Sequence, residues 1–574
     1  MKSCKPLSRA RPLWLGDARH ELIWFGIFAL LVLGLGMGLR NPWPSDEPRF
    51  ALVAQWMVQH GQWLFPHRGQ ELYSDKPPVF FWLEAASYLI TRSWRVAFLL
   101  PSLLSGLLTL GLVYDLARRL WSHRAGLLAA LALLVTIQFT FQFRDAQIDP
   151  TLVGFMTLAN YGLLRHLLLG PSKRWFAVGC LCAGIGVVTK GVGVLSLLMF
   201  VPFAFASWKG WHPLPARGAH RWSWPLAGFG LFLLPIVAWL APMLLTAHFD
   251  GDPSHAAYVQ DILFGQTVHR YAAFSGHQHP GWYFLQVIVF NWLPLSLLLP
   301  WALPAWWRRL RRRDARILLP LGWVVLTVLF FSLSSGKRGV YILPALPMFA
   351  LALAPLLPGL LRKRGPQVLA LLLTALLSIL LSVASAWAVF DHPHWAVHLR
   401  GHLDPRLWHM FLAIGVAGVL IVLLTRMRRA ALGWVLFAGV LWSLYGLWGY
   451  PLLNGDRSAR DVMHAARVAA GPDTTIGLVA WKEQNLLMAQ GPVTEFGFSR
   501  PDNKQLAAAI AWLRQDPSQR RIFIRQSAMG RCVRRDRATE LGHANEYDWW
   551  LVGARALVPG CMPAQKTGTG AGGS

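Results

Sequence analysis

From residue 21 to residue 452, runs of apolar residues alternate with short polar segments, and roughly 20 apolar residues are what a helix needs to cross a bilayer. Such runs fall at about 21–39, 94–117, 125–143, 150–168, 175–190, 191–208, 223–245, 284–306, 317–334, 341–361, 367–389, 407–425 and 431–452. They predict about thirteen crossings. The stretch 175–208 is interrupted only by Lys190 and Gly191, so it reads as a hairpin of two spans. Between the first two runs lie two amphipathic stretches, Arg49–His60 and Pro77–Ile90, with Trp56, Trp63 and Trp82 in or beside them. Helices of that kind lie along a membrane surface.

After Leu452 the pattern changes. Asp461–Ala470 and Gln505–Arg514 carry a helical period, while Thr475–Ala480 and Arg521–Arg525 read as short buried strands. The expected architecture is an all-α polytopic membrane domain over 1–452, with interfacial helices in a first loop at about 40–93. A small α/β domain over 453–562 and a disordered Gly-rich tail over 563–574 follow it.

Charge gives these segments a direction. Basic residues gather at Arg118, Arg119 and Arg124; Lys173 and Arg174; Lys209, Arg217 and Arg221; from Arg308 to Arg316; from Arg362 to Arg364; and from Arg426 to Arg429. All share one side with Lys2, Lys5, Arg9, Arg11 and Arg19, and the positive-inside rule makes that side cytoplasmic. The segments 40–93, 144–149, 246–283 and 335–340 then face outward with the C-terminal domain, which in a bacterium means the periplasm. The run 21–39 is expected to remain as a span, because no small-residue cleavage site follows it.

Composition supports a membrane protein: of 574 residues 55% are hydrophobic, only 14% are charged, and there are 30 Trp. A net charge of +28 could suit nucleic acid. The clusters between spans argue against that, and membrane lipids are the expected surroundings. Cys180 and Cys182 sit in an apolar run and Cys4 precedes the first span, whereas Cys532 and Cys561 could pair if the C-terminal domain lies in an oxidising compartment.

Acids are scarce in the outward segments, so their positions carry information. Asp46 and Glu47 stand in NPWPSDEPRF, where a carboxylate held for chemistry competes with a helix cap ahead of Pro48. Lys76 in YSDKPPVFFW is followed by two prolines that fix its backbone; it could hold a phosphate or snorkel to headgroups. The turn FRDAQIDP brings Arg144, Asp145 and Asp149, the last of which could merely cap a helix. FGQTVHRYAAFSGHQHPGWYF offers His269, Arg270, Tyr271, His277, His279 and Tyr283. Histidines with a carboxylate could bind a divalent metal, although no close zinc-like spacing is present. His392, His394, His398 and His402 read as a polar interfacial loop. In SSGKRGVYILPALP, Lys337, Arg338 and Tyr341 lie between two spans, and two cations there would suit a phosphate.

In order along the chain, DEPRF, DKPP, RDAQID, TKG at 189–191, HRY, HQHP and GKRGVYILP resemble the polytopic C-type (GT-C) glycosyltransferases. The branch is that of the protein O-mannosyltransferases and the bacterial lipid A aminoarabinose transferases, and the layout is closest to the latter. The resemblance implies a sugar donor on a polyprenyl (undecaprenyl) phosphate and an acid of the first outward loop at the reaction centre. Carried over, that acid is Asp46, with Asp149 as a second and Glu47 beside it. Lys76, Arg49, Lys190 and Lys337 become candidates to hold the donor phosphate, and Tyr341, Tyr283, His279 and Arg270 to line the site. The implied acceptor is a lipid A phosphate in the periplasm of an inner-membrane enzyme; mannose or another sugar passed to protein, lipid or polysaccharide is the alternative. No cofactor is implied with certainty, and a divalent metal ion stays open. Phe50 stands where Tyr is common, Asp75 where Glu often precedes KP, and Gln266 where an acid often precedes HRY; these bear on the sugar and on any metal. A transporter is the reading from another class, against which the charges gather in loops and no internal repeat is found.

Overall fold

The structure, a computed structural model, describes residues 18–214, 223–269, 279–391 and 404–561. Helices dominate it. Among the described residues six are long and apolar enough to cross a membrane: Trp94–Leu120, Pro225–Phe249, Ala315–Leu333, Arg364–Phe390, Arg406–Thr425 and Met427–Arg457. Two bent pairs, His123–Leu134 with Ile137–Phe143 and Tyr283–Asn291 with Leu295–Arg311, raise the number to eight if each is one crossing. Helices also occupy the other predicted runs, but they lack the length or apolarity of a lipid-facing span. Ile148–Leu168 shows why: nearly all of it is buried, including Thr151, Thr157, Asn160 and His166, so protein and not lipid surrounds it.

Lys173–Lys190 packs antiparallel along Ile148–Leu168, and the chain then reverses as the Lys190–Gly191 break predicts. Gly191 has φ +77°, and a β-carbon on Gly193 would come within 2.2 Å of the Gly186 carbonyl carbon, so the returning 3₁₀ segment Val192–Met199 lies directly on the helix it left. In the first loop, helix Glu47–His60 starts with Pro48 in its first turn and ends at Gly61, left-handed at φ +69°, whose N–H reaches the Met57 carbonyl at 2.9 Å. A two-residue hairpin, β1 (His67–Arg68) and β2 (Glu71–Leu72), connects it to helix Val79–Thr91. The hairpin is absent from the sequence reading because two-residue strands leave no period to detect.

The C-terminal residues build a five-stranded sheet from β3 (Thr475–Val479), β4 (Val493–Glu495), β5 (Arg520–Arg525), β6 (Thr539–Ala544) and β7 (Tyr547–Val552), in the order β4-β3-β5-β7-β6. β3 runs parallel to β4 and β5, and β7 is antiparallel to β5 and β6. Alternation along β5 feeds two cores: Ile522 and Ile524 pack with Leu506, Ile510 and Leu513, whereas Phe523 packs with Val462, Met463 and Trp549 on the other face. Helices Arg460–Ala470 and Asp502–Gln515 cover those faces. Cys532 and Cys561 form a disulfide, with Cα atoms 5.3 Å apart.

This unit sits on the first loop. Arg49 donates to Glu483 at 2.9 Å, Ser499 donates to Glu71 at 2.6 Å, the Asn41 N–H reaches Asn454 at 2.8 Å, and the Arg68 guanidinium lies 3.9 Å from the Phe498 ring centroid. Leu52 of the first loop is buried in the core around Val462 and Ile476.

Replacing Gly193 by Val must push the returning segment off its helix. A thermal melt in detergent is expected to show Gly193→Val far less stable than Gly191→Ala, which adds only left-handed strain of about 1 kcal/mol.

Candidate functional site

A cavity of about 480 Å³ opens among the first loop, the Ile148–Leu168 and Lys173–Lys190 helices, and the turn before Tyr341. Its polar end carries Lys76, Asp149, Lys190 and Tyr341; its walls are apolar, with Leu152, Val187, Leu195, Ile236, Trp239 and Phe331 among them. Four residues singled out in four separate segments thus share one space.

Helix ends explain their placement. Asp149 lies in the first turn of Ile148–Leu168 and Lys190 at the last residue of Lys173–Lys190, where a helix dipole favours an anion and a cation respectively. Because the two helices run antiparallel, the side chains meet: Lys190 Nζ donates to both Asp149 oxygens at 2.5 and 2.6 Å. Asp149 is therefore an ion-pair partner and not the cap, a position held by Gln147. Lys190 Nζ also lies 5.4 Å from the Tyr341 ring centroid. Lys337 is buried beneath this end and donates to the Ser334 carbonyl at 2.7 Å, bracing a turn whose Ser334 and Gly336 line the cavity. Lys76 Nζ donates to the Asp75 carbonyl at 3.1 Å, and neighbouring Ser74 donates to Asp261, next to the wall residues Ile262 and Leu263.

Asp46 lies elsewhere, in a smaller cleft of about 110 Å³ with Arg144, Asp145, Tyr450 and Arg457. It precedes helix Glu47–His60, yet its side chain makes no capping hydrogen bond; it faces Arg49 at 3.5 Å instead. Glu47, its neighbour, is buried and receives four donors: both Arg40 terminal nitrogens, the Trp43 N–H at 2.8 Å and the Ala146 N–H at 2.9 Å. The Arg40 guanidinium is enclosed by Trp43, Tyr450 and Phe98, with ring centroids at 4.5, 5.0 and 5.2 Å. Asp145 keeps a side-chain exposure of 32% toward the cleft, 3.8 Å from Arg40. Its pKa is pushed up to about 7, first by loss of hydration and then by Glu47, against the pull of Arg40, Arg144 and Arg457.

The cleft and the cavity share no lining residue but are related by charges of the first loop. Asp46 faces Arg49, and Arg49 is in electrostatic reach of buried Tyr73, whose hydroxyl also feels Asp75 beside Lys76. Tyr283 and His279 stack on each other, with centroids 4.2 Å apart, and do not line the cavity. A β-carbon at Gly339 would lie 3.6 Å from the Tyr283 hydroxyl. Arg270, His277, Tyr271 and the histidines from His392 to His402 lie outside the described residues, as do the side chains of Gln266 and His269. Among the described residues no group of three or more His, Cys, Asp or Glu is placed to hold a metal ion.

Arg40, Tyr450, Arg457 and Glu483 escaped the sequence reading. Arg40 had one signal, an arginine on the outward end of a span where the positive-inside rule disfavours it.

Residues 75–240 match the family described as dolichyl-phosphate-mannose-protein mannosyltransferase. The chain is 28% identical over 498 residues to the undecaprenyl phosphate-alpha-4-amino-4-deoxy-L-arabinose arabinosyl transferase of Pectobacterium carotovorum, covering 85% of this chain and 82% of that one. With the transferase of the same name from Pseudomonas aeruginosa it shares 30% identity over 420 residues, 67% of this chain and 72% of the relative. Its fold is similar to that of ArnT from Cupriavidus metallidurans bound to undecaprenyl phosphate, with a TM-score of 0.72 at 19% identity, over 95% of this chain and 100% of that one.

Two outcomes separate Asp46 from Glu47. In thermal unfolding, Glu47→Gln is expected to cost about 3–5 kcal/mol, since it leaves Arg40 buried without its counter-charge. Asp46→Asn is expected to stay within about 0.5 kcal/mol of the parent. Asp145 supplies a pH signature. Its raised pKa means the folded chain holds the proton more tightly than the unfolded one, so its contribution to stability is lost as pH rises from the usual 3.8 to about 7. Melting temperatures of Asp145→Asn and the parent should diverge over that interval, with the variant gaining as pH rises.

Proposed function

The chain belongs to the family of the undecaprenyl phosphate-α-4-amino-4-deoxy-L-arabinose arabinosyl transferases, and we propose that it moves that amino sugar from undecaprenyl phosphate to a lipid A phosphate. It is a glycosyltransferase of a multi-span membrane protein family. In this reading the chain crosses a bacterial inner membrane about thirteen times. Its N-terminus is cytoplasmic and its C-terminal sheet domain periplasmic, as the basic clusters favour.

The observation that carries the reading is the 480 Å³ cavity, which joins an apolar wall to Lys76, the Lys190–Asp149 pair and Tyr341. That pairing suits a phosphate head on a polyprenyl tail. The bond from the anomeric carbon to the donor phosphate breaks, its electron pair passes to the phosphate oxygen, and an acceptor phosphate oxygen forms the new bond. Negative charge grows on the leaving phosphate, so cations already in place lower the barrier more than mobile water could. Lys76 and Lys190 hold that phosphate, and Lys337 braces the turn beside it. Arg49 steadies Asp46 while itself held by Glu483.

A lipid A phosphate is already an anion and needs no base. Asp46 then supports positive charge on the sugar ring, with Asp149 tuning Lys190. Glu47, with its oxygens engaged, positions the loop. Tyr341 lines the cavity, while Tyr283 and His279 stack on each other away from it. The match of residues 75–240 to a protein mannosyltransferase family favours one second reading, transfer to a hydroxyl. There Asp46 would act as general base, worth about 10² to 10⁴ in rate.

The test is an assay of the purified protein with the undecaprenyl-phosphate amino sugar and lipid A, followed by mass spectrometry of the lipid. Asp46→Asn is expected to lower turnover at least about 10²-fold with the fold intact, and Lys76→Ala to weaken use of the donor. An Asp46→Asn protein with parental turnover would remove its assigned role. Lipid A that gains no sugar while a protein or glycan acceptor does would remove the proposed acceptor.

A further inference from the structure

The bent helix pair that ends at the turn 144–149 begins, at its far end, beside a second cavity of about 610 Å³. Arg124, Leu128, Leu131 and Val135 recur along one face of helix His123–Leu134 and its C-cap, so they form a continuous wall. Leu298 and Leu357 close the opposite side. The wall is apolar throughout its depth. Its mouth is not: Arg124, Arg362, Arg428 and Arg429 stand there, all exposed, and no described carboxylate pairs with any of them.

Three helices also begin at this mouth: His123–Leu134, Arg364–Phe390 and Ala430–Leu444, none with an acidic residue in its first turn. Buried Gln367 ties two of them together, donating to the Leu361 carbonyl at 2.5 Å and accepting from the Ala431 N–H at 2.9 Å. Positive helix ends add to the four guanidinium groups, so the mouth selects an anion. The depth sets a second condition. The eleven steps from Arg124 to Val135 rise about 16 Å at 1.5 Å each, close to half of a hydrocarbon core about 30 Å thick. A groove one leaflet deep, charged at the water and apolar below, matches an acyl chain with an anionic head.

We propose that this groove binds an anionic phospholipid of the cytoplasmic leaflet, with its phosphate among Arg124, Arg362, Arg428 and Arg429 and a chain along His123–Leu134. The site rests on the orientation that the basic clusters give and is independent of the sugar-transfer reading, whose cavity lies beyond the turn 144–149 that follows this helix pair.

Delipidated full-length protein in neutral detergent would be titrated with phosphatidylglycerol, phosphatidylcholine, undecaprenyl phosphate and inorganic phosphate, with bound species counted by native mass spectrometry. Phosphatidylglycerol is expected to bind about tenfold more tightly than phosphatidylcholine, and the double variant R428Q/R429Q to lose most of that preference. Ala132→Trp, which fills the groove, is expected to abolish lipid retention while sugar transfer stays within about twofold, reporting an intact fold. Equal binding of phosphatidylcholine, or unchanged phosphatidylglycerol binding in R428Q/R429Q, would overturn the proposal. So would displacement by inorganic phosphate, which marks a simple anion site, or by undecaprenyl phosphate, which marks a site for the donor lipid.

Discussion

The first-loop end of this molecule is organised around one buried ion pair, Arg40 with Glu47. A carboxylate and a guanidinium removed from water lose hydration that their mutual attraction restores only when every remaining lone pair and proton is met. Here the Glu47 oxygens take the Arg40 fork plus the N–H groups of Trp43 and Ala146, and three aromatic rings surround the cation. Because the donors come from both the first loop and the turn 144–149, one pair fixes two segments against each other. Asp46, the residue before Glu47, lines the cleft beside Asp145.

The second constraint is charge balance inside an apolar cavity. Lys190 reaches its place because a helix must stop at Gly191, and Asp149 meets it because the neighbouring helix must start there. The C-terminal domain completes the arrangement from outside. Glu483 holds Arg49, and Glu495 accepts the Gln70 N–H at 2.5 Å while packed against the turn of the first-loop hairpin. Burial pushes the Glu495 carboxyl up to about 7, opposed by the Gln70 N–H and raised further by Glu71. The domain thus covers the first loop and meets it with hydrogen bonds and an ion pair.

Much of this was legible from residue patterns, because hydropathy and rare charges are local signals. Apolar runs locate the long spans, rare charges in the loops single out Lys76 and Asp149, and the family resemblance adds Lys190 and Tyr341; the fold gathers all four around one cavity. Depth was not legible. Asp46 and Lys76 belong to the same loop, yet they line different spaces, and nothing in their spacing distinguishes the two. The adjacent acids Asp46 and Glu47 look alike in sequence, but only Glu47 faces Arg40. Glu483 meets Arg49 across 434 residues, a pairing that no periodicity reports. The number of crossings is blurred for a related reason: a helix such as Ile148–Leu168, enclosed by protein, need not be as apolar as one facing lipid.

The proposed chemistry needs a polyprenyl phosphate head in the larger cavity, held by cations from separate segments. Cryo-electron microscopy of the protein with undecaprenyl phosphate tests it directly. The expected result is phosphate density within hydrogen-bond reach of Lys76 Nζ and Lys190 Nζ, with the chain running past Trp239 toward Leu195. Density for the phosphate outside this cavity, with Lys76 and Lys190 unmoved and untouched, would contradict it.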